Sequence, residues 1–167
     1  MSSENLCPRN KHDHERVKAV IAAGPVAAEP ILEGLFIWLQ DINYPIAIPI
    51  ADFLVTVGDP LIPHIKKILR SNDQPWIEFV LDYVVERLAP EHIHALKAEL
   101  NQLAMAGMSE SDVIAIRIGA SAGIWDAKTL NWMLDNCIRA GEEFLLELKA
   151  LKVKTSQEQQ QGTISET

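Results

Sequence analysis

Only two cysteines, Cys7 and Cys137, occur in the 167 residues, far apart and without a CxxC pair. That is too few for a disulfide framework and points to a reducing compartment. Apolar runs are short as well. The longest, around Tyr44 to Ala51, contains two prolines and falls far below the ~20 residues a bilayer span requires. The amino terminus as far as His14 carries charges and no apolar stretch, so no secretory signal is read there. A cytoplasmic protein without a membrane partner is expected. Basic charge is also scarce: 15 Lys and Arg against 23 Asp and Glu leave a formal net charge of −8, the reverse of a nucleic-acid footprint. There is no G-x-S-x-G, no glycine-rich phosphate loop, and no histidine beside either cysteine. Neither an enzyme nor a cofactor is therefore expected. What remains is an ordinary globular composition, 48% apolar and 23% charged, in a chain of one domain's length.

The positive signal is a thirty-residue beat. Pro30, Pro60 and Pro90 keep it, as do Pro45 with Pro75, and Asp13, Asn43 and Asp73. Apolar positions follow: Ile31 aligns with Leu61, Leu35 with Ile65, Leu39 with Leu69, Ile50 with Val80, and Leu54 with Val84. Asp13, Asn43 and Asp73 are N-cap types, and a proline just inside the helix start lacks only an N–H that would be unpaired anyway. Asp59 before Pro60 reads the same way, with Gly58 closing the preceding helix. The pattern predicts A-type helices over about 13–23, 44–57 and 74–88, and B-type helices over about 29–40, 60–71 and 90–106. Residues 44–57 alternate briefly like a strand, but Pro45 and Pro49 disfavour one and the equivalent stretch after Trp76 has helical spacing. Pro49 predicts a kink or late start there.

Short helix pairs cannot bury their apolar faces alone. The fold expected is all-α: a short α-solenoid (an α-α superhelix) of stacked helical hairpins, HEAT-like, with a C-terminal capping helix pair. After Gly107 the beat is lost. Ser109 with Asp112 resembles a capping box opening a helix to about 120, Gly119 and Gly123 mark a turn, and a last helix covers about 126–151. Its Leu130, Leu134, Cys137, Gly141, Phe144, Leu148 and Leu151 alternate spacings of four and three, a heptad seam. That seam either caps the solenoid or pairs two chains as a homodimer, and capping is the preferred expectation. The organisation expected is an N-terminal arm (1–12), helical repeats (13–107), a helical cap (108–152) and a polar, disordered tail (153–167).

Leu6, Pro8, Lys11 and Asp13 form an L-x-P-x-x-K-x-D opening, followed by Glu29-Pro30-Ile31-Leu32, Trp38-Leu39-Gln40-Asp41, Asn43, Pro45, Gly58-x-Pro60-Leu61 and His64-Ile65. Together these resemble a bacterial domain-of-unknown-function family (number five-zero-seven-one) of HEAT-like helical repeats, over about residues 6–105. The resemblance implies a helical-repeat fold and no established activity, and it is not extended to residues 108–167.

Among candidate site residues, His12 with His14 and His92 with His94 have i,i+2 spacing, which points side chains apart, so no metal site is expected. Glu78, Asp82 and Glu86 stack three carboxylates on one helix face, and Asp52 holds the register of Asp82 one repeat earlier. Lys66, Lys67 and Arg70 form the opposing basic cluster. Trp76 reads as core, whereas Trp38 beside Asp41 and Asn43 reads as a recognition residue. The partner-binding candidates are thus Trp38, Asp41, Asn43, Asp52, His64, Lys67, Arg70, Glu78, Asp82 and Glu86, with Gly34 and Ile37 also expected to be left open by packing. The function expected is a non-enzymatic protein-binding module, in its most specific form a bacterial immunity-type inhibitor of a basic partner. The alternative is a HEAT-like nucleic-acid-binding or base-excising protein using Trp38, Asp41 and the basic cluster, against which the net charge weighs.

Overall fold

The computed structural model describes residues 6–105 and 109–164, with side chains as far as Thr155. Gly107, where the sequence ends the repeats, and residues 165–167 of the expected tail lie outside the described residues. Every regular element among the described residues is helical. The α-helices are α1 (His14–Ala23), α2 (Pro25–Ala28), α3 (Leu32–Phe36), α4 (Ala47–Leu54), α5 (Ile62–Leu69), α6 (Gln74–Tyr83), α7 (Pro90–Ala95), α8 (Lys97–Ala104), α9 (Glu110–Ser121) and α10 (Ala127–Ile164). Short 3-10 turns occupy Glu29–Ile31, Ile37–Gln40, Asp59–Leu61 and Val85–Arg87. No helix among them is long and apolar enough to cross a membrane.

The prolines explain much of this segmentation. Glu29-Pro30-Ile31 and Asp59-Pro60-Leu61 each form a 3-10 turn leading into a helix, while Pro90 opens α7 directly. Asp13 and Asp73 cap as expected, accepting from the amides of Arg16 (3.4 Å) and Trp76 (3.2 Å). Asn43 does not. Its amide and side-chain Nδ2 both donate to Asp41 Oδ1 in a turn, and α4 starts only at Ala47, without a side-chain cap. The Pro49 ring would clash with the carbonyl four residues back, so the helix cannot begin as early as Pro45. Gly58 closes this segment with φ +80°. The helix expected over 90–106 is split at Leu96, a wholly buried residue that no proline or glycine announces. The helix expected over 74–88 likewise gives way at Val84 to a 3-10 turn.

Packing follows chain order in two rows. In one, α1 lies on α4, α4 on α6, and α6 on α9; in the other, α3 lies on α5 and α5 on α8, with α8 also against α9. One apolar interior runs from Val17 to Ile124. Two ion pairs tie the first row together: Arg87 Nη1 to Asp52 Oδ1 at 2.8 Å, and Arg117 Nη2 to Asp82 Oδ1 at 2.6 Å. Asp82 lies thirty residues after Asp52, and Arg117 thirty after Arg87. The partners of these two ion pairs thus keep the thirty-residue spacing as far as Arg117 in α9, whereas the proline and N-cap marks lose it, because Leu103 and Met105 stand thirty residues after Asp73 and Pro75.

Gly119 is not a turn residue. It lies inside α9, where a Cβ would sit 2.3 Å from the Trp125 ring, so glycine is what lets the indole lie flat on the helix. The Trp125 indole N–H is bonded to the Asn101 side chain. Ser109 and Asp112 do form the capping box. From there α10 returns along α9 through Leu130, Met133 and Cys137, which meet Ile116 and Ala104. Beyond Gly141 every α10 side chain described is exposed, so among the described residues α10 packs on the rest of the fold only through its amino-terminal turns. The helical backbone also runs on to Ile164 through the stretch expected to be a disordered tail. Gln, Glu and Lys are good helix formers, and polarity alone does not end a helix.

Candidate partner-binding surface

Between α3 and α5 lies a cleft of about 300 Å³, lined by Glu33, Phe36, Ile37, His64, Lys67, Ile68, Ser71 and Trp76. The beat builds it, because Ile37 and Lys67 hold equivalent positions on successive helical segments. Trp76 forms its back wall, with the indole N–H donating 3.0 Å to the Phe36 carbonyl. His64 is stacked on Phe36 at a ring separation of 6.2 Å. Lys67 Nζ binds Glu33 Oε1 and holds the Glu33 carboxyl below its usual range, chiefly through that hydrogen bond. Of the sequence candidates, His64 and Lys67, with Ile37, come together here. Glu33, Ser71 and Ile68 were not foreseen, although Glu33 one turn before Ile37 and Ser71 one turn after Lys67 are the signals that mark them. Trp76, read as core, is only half-buried.

The remaining candidates are dispersed. Trp38 is half-buried and packed on the core, edge-on to Tyr44 at 6.2 Å, and Lys11 Nζ lies 5.5 Å over that tyrosine ring. Asp41 and Asn43 are spent on their shared turn. Gly34, expected on the open surface, instead faces the N-terminal arm, since a Cβ there would lie 2.8 Å from Cys7 Sγ. Burial against that helix raises the Cys7 thiol pKa, and Arg16 acts in the opposite direction. Arg70 reaches across to Glu99, a carboxylate buried in α8.

The acidic row is partly neutralised from within. Arg117 binds Asp82 and also Glu86, Nε to Oε1 at 3.1 Å, and Asp52 has Arg87. Glu78 keeps the excess. Its carboxyl pKa is raised from an ordinary 4.5 by burial, and then by the neighbouring Glu110 and Asp82, while the Ser111 backbone hydrogen bond opposes the shift. The folded chain thus binds the Glu78 proton more tightly than the unfolded chain does. Its contribution is destabilising once the pH rises above 4.5 and vanishes below that value. Glu78→Gln is expected to raise the unfolding free energy at neutral pH by a few tenths of a kcal/mol, the scale of one like-charge pair on a helix, and to leave it unchanged at a pH well under 4.5. Matched urea titrations at the two pH values check this. Among the described residues no group of three or more His, Cys, Asp or Glu side chains is placed to hold a metal ion.

A family model described as Domain of unknown function (DUF5071) matches residues 6–124. The match runs through α9 to Ile124, beyond residue 105 where the sequence resemblance was drawn, and it stops short of α10. A search of the curated proteins finds none that matches the chain.

Proposed function

The chain belongs to the DUF5071 family, and from that premise we propose that its helices form a short HEAT-like solenoid working as a non-enzymatic binding module for a basic protein. The chain-order packing of α1, α4, α6 and α9 beside α3, α5 and α8 supports the solenoid. So does the recurrence of the Asp52–Arg87 ion pair as Asp82–Arg117. The observation that carries the choice of partner is the crowding of carboxylates at Glu78, whose pKa is raised first by burial and then by the neighbouring Glu110 and Asp82. A lysine- or arginine-rich surface laid over this end of α6 relieves that repulsion and is steered to it by a net charge of −8. In its narrowest form the module is an immunity-type inhibitor of a basic toxin or nuclease. A nucleic-acid role finds less support, because Lys67 and Arg70 are each already bound to a carboxylate of the same chain.

Affinity capture from the source cells at low and high salt tests the reading. A basic protein is expected to be retained at low salt and released at high salt. The folded double variant Glu78→Lys with Glu110→Lys is expected not to retain it. Capture of nothing, or of a protein whose retention ignores both salt and the double variant, overturns the proposal.

A further inference from the structure

The distal half of α10 carries apolar side chains that no described residue covers. Phe144, Leu145, Leu148 and Leu151 are 51%, 49%, 46% and 60% exposed. From Gly141 to Ile164 the helix advances about 35 Å at 1.5 Å per residue. Such a row on a soluble helix marks an interaction face. Its spacing specifies the kind: Gly141, Phe144, Leu148, Leu151 and Thr155 continue the alternation of four and three that earlier seats Leu130 and Cys137 against α9. α9 runs antiparallel to α10 and ends beside it, where Ser109, Glu110, Asp112 and Val113 border a cleft with Cys137, Ala140, Gly141 and Phe144. The proximal stretch of the seam meets α9 at Leu130 and Cys137, with Leu134 left 41% exposed, and the distal stretch continues the same seam with no occupant among the described residues.

We propose that a second copy of α10 fills it, making an antiparallel two-stranded coiled coil of about residues 141–158 from each chain. Orientation follows from α9. In a parallel pair both α9 helices would be wedged between the two α10 helices, whereas in an antiparallel pair each α9 sits at its own end and the partner helix continues its line. Register follows from charge. With Leu148 opposite Leu151 of the partner subunit and Phe144 opposite Thr155 of the partner subunit, the flanking position of Glu147 meets Lys154 of the partner subunit, and the symmetry repeats the pair. Sliding by one heptad either way sets Glu147 against its own copy or Lys154 against its own copy, so like charges penalise both neighbouring registers. The Leu148 and Leu151 layers lie at the centre, where they close over each other.

Sedimentation equilibrium of the full chain over a dilution series is the test. The expected result is a monomer–dimer equilibrium approaching twice 18.6 kDa. Leu148→Asp is expected to weaken association by roughly a hundredfold, with circular dichroism of the dilute protein unchanged because Leu148 lies off the core. Glu147→Lys and Lys154→Glu should each weaken the dimer, and the two together should restore it. A monomer at every concentration overturns the proposal, as does a monomer that binds phosphatidylcholine–phosphatidylserine vesicles through this face. A dimer in which Glu147→Lys is rescued by Lys152→Glu and not by Lys154→Glu overturns it too, since that pairing belongs to the parallel arrangement.

Discussion

Leu54→Ala is expected to lower the stability by about 3 kcal/mol, within the ~2–5 kcal/mol range for truncating a buried leucine. Leu54 is fully buried at the end of α4, inside the single interior running from Val17 to Ile124. The neighbouring α6 is fixed at its start by Asp73 and Pro75, and Arg87–Asp52 ties the segment after it to α4, so the site has little freedom to collapse around the missing methyl groups. Ile48→Ala on the same helix is the internal comparison. Ile48 is exposed, alanine is the better helix former, and the change should stay within about 0.5 kcal/mol. Urea titration of both variants by far-UV circular dichroism measures the difference. Equal effects would mean that α4 is not held between α1 and α6 as described.

Arg70→Ala should cost about 2–4 kcal/mol, because it strands a charge. The Glu99 side chain is 1% exposed, whereas that of Arg70 is 61% exposed, so the two ends of the pair differ in what they lose. Without Glu99 the guanidinium is hydrated where it stands; without Arg70 the carboxylate has no route to water. Its second oxygen, Oε2, already lacks a hydrogen-bond partner among the described residues. Glu99→Met should therefore cost much less than Arg70→Ala, and Arg70→Ala combined with Glu99→Met should recover most of the loss. Thermal unfolding reads the cycle at roughly 2–4 °C per kcal/mol for a chain of this size. A cost for Arg70→Ala no larger than that of Glu99→Met would show that Glu99 is not the constrained partner. A loss of partner binding on changing Arg70 must accordingly be read beside its effect on folding.

The helical class was legible because proline and aspartate recur at fixed offsets, and both act locally: Asp73 caps α6 and Pro90 opens α7 through chemistry confined to one turn. Asn43 shows where this fails. It keeps the beat and is a good capping type, but Pro49 forbids the helix from starting there, and Asn43 turns to Asp41 instead. The breaks at Val84 and Leu96 are invisible in sequence because buried packing, rather than a special residue, makes them. The site was half legible for a similar reason. His64 and Lys67 follow from register, whereas Glu33 and Glu99 are recognised only once the helices that bring their cations across are placed. Periodicity exposed the heptad seam of α10, but it could not divide the seam at Gly141, since the length of α9 makes that division.

The ion pairs from Asp52 to Arg87 and from Asp82 to Arg117 each join one thirty-residue segment to a later one. The middle segment contributes an acid, Asp82, in one direction and a base, Arg87, in the other. On the proposed solenoid, a duplicated block of thirty residues inserted between α4 and α6 would find complementary charges waiting at both of its joins. On that proposal the fold is open-ended in arithmetic steps: its length follows from the number of units joined, and the ends are where it has to be sealed.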